Sequence, residues 1–262
     1  MILPAFTQGI YGRLRLQAGA DWQRYVAHPF LRQLADGTLP EPAFRRYLTQ
    51  DYLFLIHFAR SYALLVSKLR TLAEMRVAAA SMNAILDELP LHVGYCTGWG
   101  LDEATMAAEE EAAETVNYTR YVLDIGHAGD ALDLLAALMP CVAGYAEIGL
   151  GLLHDPATRL TANPYASWIR NYGDEGYLNG VNAALNLLET LWQQRGGEAR
   201  FAAMVGINTG RLSRVLDEGG EFTQGEILIV IQVKADPLAL SQQIAVVIKQ
   251  ERPAKCVILH PP

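Results

Sequence analysis

From Asp21 to about Gln194, apolar residues recur at intervals of three and four, and glycine and proline interrupt the pattern at Asp36 to Pro40, Gly98 to Gly100, Gly126 to Gly129 and Asn163-Pro164. This is the signature of successive amphipathic helices separated by short turns. One helix is expected from about Glu41 to Arg70, with Phe44, Tyr47, Leu48, Asp51, Leu55 and Phe58 on a single face. Asp51 falls in the middle of that apolar face, where a carboxylate requires a hydrogen-bonding partner or a ligand. Further helices are expected over roughly Ala73 to Cys96, Glu103 to Ile125, Ala131 to Leu153, Tyr165 to Asn171 and Asp174 to Gln194. The Ala/Glu-rich stretch Ala107 to Glu114 reads as an exposed helix face.

The pattern changes after residue 220. Ile227 to Val233 reads as a buried strand, and Ile244 to Ile248 and Cys256 to Leu259 are strand-like. The expected organisation is therefore a helical domain over 1–220, all-α and bundle-like, followed by an atypical tail over 221–262.

The segment Ala131 to Leu153 is apolar enough to resemble a membrane span, yet it contains Asp133, Pro140 and Glu147. Carboxylates are costly in lipid, so it reads as a buried central helix. Of the 262 residues, 51% are hydrophobic and 19% charged, which supplies a sizeable core and excludes general disorder. The formal net charge of -7 argues against phosphate-backbone binding as the main task. Cys96, Cys141 and Cys256 lie far apart, which argues against a disulfide scaffold or a cysteine zinc site and suits a reducing cytoplasm. Met1 to Phe6 shows no basic targeting pattern.

Several residues could carry chemistry. Cys141 follows Pro140 inside the apolar helix, and Tyr145 shares its face four residues on. It is either a small core cysteine or a nucleophile that needs a neighbouring acid or base. Glu88 and His92, four apart, are a polar pair or half of a metal site. His28, in His28-Pro29-Phe30, reads as a helix-terminus residue or cap partner. The tyrosines outnumber the hydroxyls that packing alone requires. They are either scattered core residues or the lining of a cavity for a flat heteroaromatic ligand. No dinucleotide, P-loop, nucleophile-elbow or zinc-protease motif occurs.

Taken together, His28-Pro29-Phe30, Asp36 to Pro40, Tyr47 to Leu55, Phe58-Ala59-Arg60, Glu88 to His92, Leu138 to Gly149 and Trp168 to Gly173 resemble the TenA family, the thiaminase II or aminopyrimidine aminohydrolase group, over roughly residues 20 to 200. The resemblance implies a haem-oxygenase-like helical fold without haem or other cofactor, and a cytoplasmic homotetramer. It implies a small aminopyrimidine substrate rather than nucleic acid or membrane. The reaction would release ammonia from an aminomethyl aminopyrimidine in thiamin salvage, or cleave thiamin to hydroxymethylpyrimidine and thiazole. By resemblance, Cys141 is the nucleophile and Asp51 the carboxylate at the aminopyrimidine edge, while Phe54, Tyr118, Tyr145 and Tyr172 contact substrate. No metal is implied.

Two positions depart from the family pattern. Phe54 stands where a tyrosine is common, and no Glu-x-x-Phe-Trp follows residue 200, although Glu218 and Glu221 lie in that region. A pyrimidine-binding homologue with impaired catalysis, and a metal-dependent oxidase using Glu88 and His92, are the alternatives that these features leave open.

Overall fold

A computed structural model describes residues 6–197, 200 and 201. Over these residues the protein is all-α, with helices α1 (Gly9–Val26), α2 (Pro29–Asp36), α3 (Glu41–Lys68), α4 (Leu72–Thr97), α5 (Glu103–Ala108), α6 (Ala113–Ala128), α7 (Ala131–His154), α8 (Ala166–Tyr172) and α9 (Glu175–Arg195). The expected strands after residue 220, and Glu218 and Glu221, lie outside the described residues.

Helix starts follow local chemistry. His28 caps α2, its Nδ1 accepting from the Phe30 amide, and Pro29 takes the first turn where no amide proton is needed. Thr71 with Glu74 and Asp130 with Asp133 form reciprocal capping boxes at α4 and α7. Burial pushes the His28 imidazole down to about 4, consistent with a neutral ring acting as acceptor.

Helix α7 is apolar nearly all round and packs against α1, α3, α6, α8 and α9. By length and composition it could cross a membrane, but 72% of its most apolar window is buried inside the protein. Helix α3 packs most extensively against α4, and α6 packs on both α3 and α7. Trp22 and Arg15 of α1 meet Glu147 of α7 through Trp22 Nε1 at 2.9 Å and Arg15 Nε at 2.8 Å. That pairing accounts for the carboxylate in the apolar helix.

Two expectations are corrected. The helical region begins at Gly9, earlier than expected; the chain kinks at Gly19, and its second stretch starts beside the expected Asp21. The single helix expected from Glu103 to Ile125 is two, broken between Ala108 and Ala113, so Ala107 to Glu114 is not a continuous exposed helix face. The cause lies on α3. Gln50 Nε2 donates to the Glu110 carbonyl at 3.0 Å, while its Oε1 accepts from the Ala112 amide at 2.8 Å and from Thr115 Oγ1 at 2.9 Å. One buried side-chain amide thus satisfies the backbone groups that a helix would otherwise pair.

Candidate active site

A cavity of about 400 Å³ lies where α3, α4, α7, α8 and the start of α9 meet. Asp51, Phe54, Glu88, Cys141, Tyr145 and Tyr172 all line it. One wall is aromatic and comes from α3, with Phe54 stacked on Phe58 at 5.0 Å between centroids. The other is built by Tyr145 and Tyr172, 4.7 Å apart, with Trp168 behind them. A flat ring fits between such faces through offset or edge contacts.

The partner that Asp51 needed is His92. Its Nε2 lies 2.7 Å from Asp51 Oδ2, and both side chains are buried. Tyr47 donates to the same oxygen at 3.1 Å and accepts in turn from Trp168 Nε1 at 3.0 Å. The other nitrogen of His92, Nδ1, sits 3.2 Å from the Glu88 carbonyl. A carbonyl can only accept, so Nδ1 carries a proton; the Nε2 contact with a carboxylate oxygen then requires a second proton within the pair. Burial opposes the charged imidazole, but the Asp51 carboxylate more than reverses this and holds His92 up at about 9. The spacing of Glu88 and His92 was visible in the sequence, but the role of His92 as the support of Asp51 was missed. Its partner lies 41 residues away.

Glu88 accepts from the Tyr172 hydroxyl at 3.0 Å. Burial and the nearby Asp51 raise its carboxyl above the usual range. Glu88 and His92 therefore have different partners. Among the described residues, no group of three His, Cys, Asp or Glu side chains is placed to hold a metal ion.

Cys141 is partly exposed and lines the cavity. Burial pushes its thiol well above the usual value, and the charges of Asp51 and Glu88 add to the effect. Three tyrosine hydroxyls bind the α7 backbone around it: Tyr118 to the Ala137 carbonyl at 3.2 Å, Tyr25 to that of Pro140 at 3.2 Å and Tyr177 to that of Val142 at 3.1 Å. Pro140 lacks an amide proton and weakens this turn of the helix, and the tyrosines brace it. Gly144 makes the approach of Tyr25 possible, because a Cβ there would lie 2.5 Å from the Tyr25 ring. Gly149 does the same for α8: a Cβ would lie 2.5 Å from the Tyr172 carbonyl carbon. That close contact brings Tyr172 into the cavity wall.

Five of the six residues expected at the site therefore converge on one cavity. Tyr118 is the exception; it is not among the lining side chains, its hydroxyl is engaged with α7, and its ring lies 5.8 Å from that of Phe54, one layer back. Tyr145 is 3% exposed, and its hydroxyl faces that of Tyr47, which it helps to stabilise, without a hydrogen bond of full geometry.

The fold and site define a class: a helical bundle enclosing an aromatic cavity furnished with a thiol, a supported carboxylate and a second buried acid. The sequence matches the TENA/THI-4/PQQC family model over residues 17–209, and the chain belongs to that family. It is 40% identical to an uncharacterised protein of Haemophilus influenzae over 176 residues, 67% of this chain and 81% of the other. It is 34% identical to the aminopyrimidine aminohydrolase of Halalkalibacterium halodurans over 170 residues, 64% of this chain and 75% of that one. Among solved structures, a TenA family transcription regulator from Silicibacter sp. TM1040 superposes with a TM-score of 0.71 at 40% identity, covering 76% of this chain and 89% of the other.

Proposed function

We propose that this protein hydrolyses an aminomethyl-substituted aminopyrimidine, releasing ammonia and hydroxymethylpyrimidine for thiamin salvage, and that thiamin is cleaved in the same way with the thiazole as leaving group. The observation that carries this reading is the convergence of Cys141, Asp51 and the Tyr145–Tyr172 aromatic pair on one cavity. The aminopyrimidine aminohydrolase of H. halodurans, at 34% identity, supports it.

In this reading the ring lies between Phe54 and the tyrosine pair. The donors His92 and Tyr47 both meet Asp51 Oδ2, so Oδ1 accepts from the amino group of the ring. The Cys141 sulfur adds to a ring carbon, and the displaced ring electron pair takes up the thiol proton at a ring nitrogen. The remaining lone pair of that nitrogen then pushes through the ring and the protonated amine leaves the methylene as ammonia, giving an exocyclic double bond. Water adds at the methylene, the sulfur departs, and the aromatic ring is restored. The sum is amine plus water giving alcohol plus ammonia, with no redox change. Covalent addition divides one difficult displacement into easier steps.

The test is ammonia release from the aminomethyl aminopyrimidine by wild type and by Cys141→Ser. Turnover in the wild type that falls to background in the variant supports the reading. Full activity in the variant removes the nucleophile role, and ring binding without turnover by the wild type favours a binding protein.

A further inference from the structure

The cavity is one-sided in charge. Its lining includes four carboxyl groups, Asp51, Asp87, Glu88 and Asp174, and no lysine, arginine or histidine among the described residues. His92, from behind the wall, pairs with Asp51 and also acts on Glu88. The other three acids converge from two elements. Asp87 and Glu88 come from α4, and Asp174 comes from the N-cap of α9, where its Oδ1 accepts from the Gly176 amide at 2.7 Å. Tyr172 of α8 ties these elements together by bonding to Glu88 of α4 and packing edge-on against Tyr177 of α9, 5.1 Å between centroids. Asp87 and Asp174 are exposed while Glu88 is half-buried, so the acids run from the rim inward. The rings of Tyr145 and Tyr172, 4.7 Å apart, line the same space and give a flat ligand a face to lie against.

We infer that Asp87, Glu88 and Asp174 form a charge filter, which admits flat ligands carrying a cationic substituent and rejects the same ring bearing a phosphate ester. Negative groups along a low-dielectric wall concentrate cations and repel anions, and the effect is greatest where water is scarce. An anionic ligand would have to face all three acids with no cationic side chain of the described lining to offset them. A protonated aminomethyl group, or a ring nitrogen bearing a fixed positive charge, meets a complementary wall. The inference deepens the proposed function, on which it rests, by naming the residues that select the substituent.

The experiment measures ligand dissociation constants through the change in tryptophan fluorescence, to which Trp168 against the cavity tyrosines contributes. The ligands are three aminopyrimidines that share a ring and differ at the methylene: aminomethyl, hydroxymethyl and hydroxymethyl phosphate. The wild type is expected to bind the cation at least about tenfold more tightly than the phosphate ester, with the gap shrinking as salt rises. In Asp87→Asn/Asp174→Asn the cation-to-phosphate ratio is expected to fall by about three- to tenfold. Asparagine keeps the α9 cap, so folding is retained. Phosphate binding equal to that of the cation in the wild type, or an unchanged ratio in the double variant, overturns the inference. If none of the three rings binds, the pyrimidine reading is lost. Benzylammonium, benzyl alcohol and benzyl phosphate then test the filter alone, with the same expected order and the same overturning result.

Discussion

His92 Nε2 stands 2.7 Å from Asp51 Oδ2 in a buried pair that joins α4 to α3 behind the cavity. The pair contributes stability only while the imidazole holds its proton. His92 is raised from 6.5 to about 9, so its contribution is complete below about pH 6.5 and is lost as pH rises through 9. Urea unfolding at pH 6, 7.5 and 9.5 should therefore show falling stability in the wild type. The decline should be flatter in His92→Gln; parallel curves would contradict the assignment.

The Cys141 thiol is protonated in the free protein, because burial and the nearby acids raise its pKa. Iodoacetamide should label it slowly at pH 7 and progressively faster as pH rises beyond 9. Mass spectrometry of the labelled peptide measures the rate, with the buried Cys96, raised to about 11, as an internal comparison. Rapid labelling at neutral pH would show that another group activates the thiol without substrate.

Tyr145→Phe removes a hydroxyl that makes no hydrogen bond of full geometry in the folded protein. Thermal stability should be unchanged or higher, since a buried polar group is lost without breaking such a bond. Turnover should nevertheless suffer, with kcat/KM down by about tenfold, the usual worth of one hydrogen bond of roughly 1 kcal/mol or slightly more. A large loss of stability together with activity would assign Tyr145 to packing instead.

Gly149→Ala places a methyl group 2.5 Å from the Tyr172 carbonyl carbon, and backbone cannot yield as a side chain tip can. The expected cost is about 1–3 kcal/mol of stability, as for an overpacked core. Displacement of α8 should also break the Tyr172–Glu88 bond and reduce kcat/KM. Gly151→Ala on the same helix has open space around its Cβ and serves as the control.

Much of this molecule was legible in its pattern of residues. The 3.6-residue periodicity and the Gly/Pro joints specified α3, α4, α7, α8 and α9 to within a few residues, because these are local properties of the backbone and its nearest side chains. The odd position of Asp51 on an apolar face pointed to a partner without identifying it. What only the tertiary structure decided was which distant groups meet. It joined His92 to Asp51 across 41 positions, and it used Gln50 to interrupt a helix that local propensity would have continued. It also turned Tyr118 toward the α7 backbone and set the Tyr145 hydroxyl facing that of Tyr47. Helical periodicity records which face of a helix is buried, but not which neighbour it is buried against; hydrogen bonds between helices depend on how the helices pack, which no local pattern encodes.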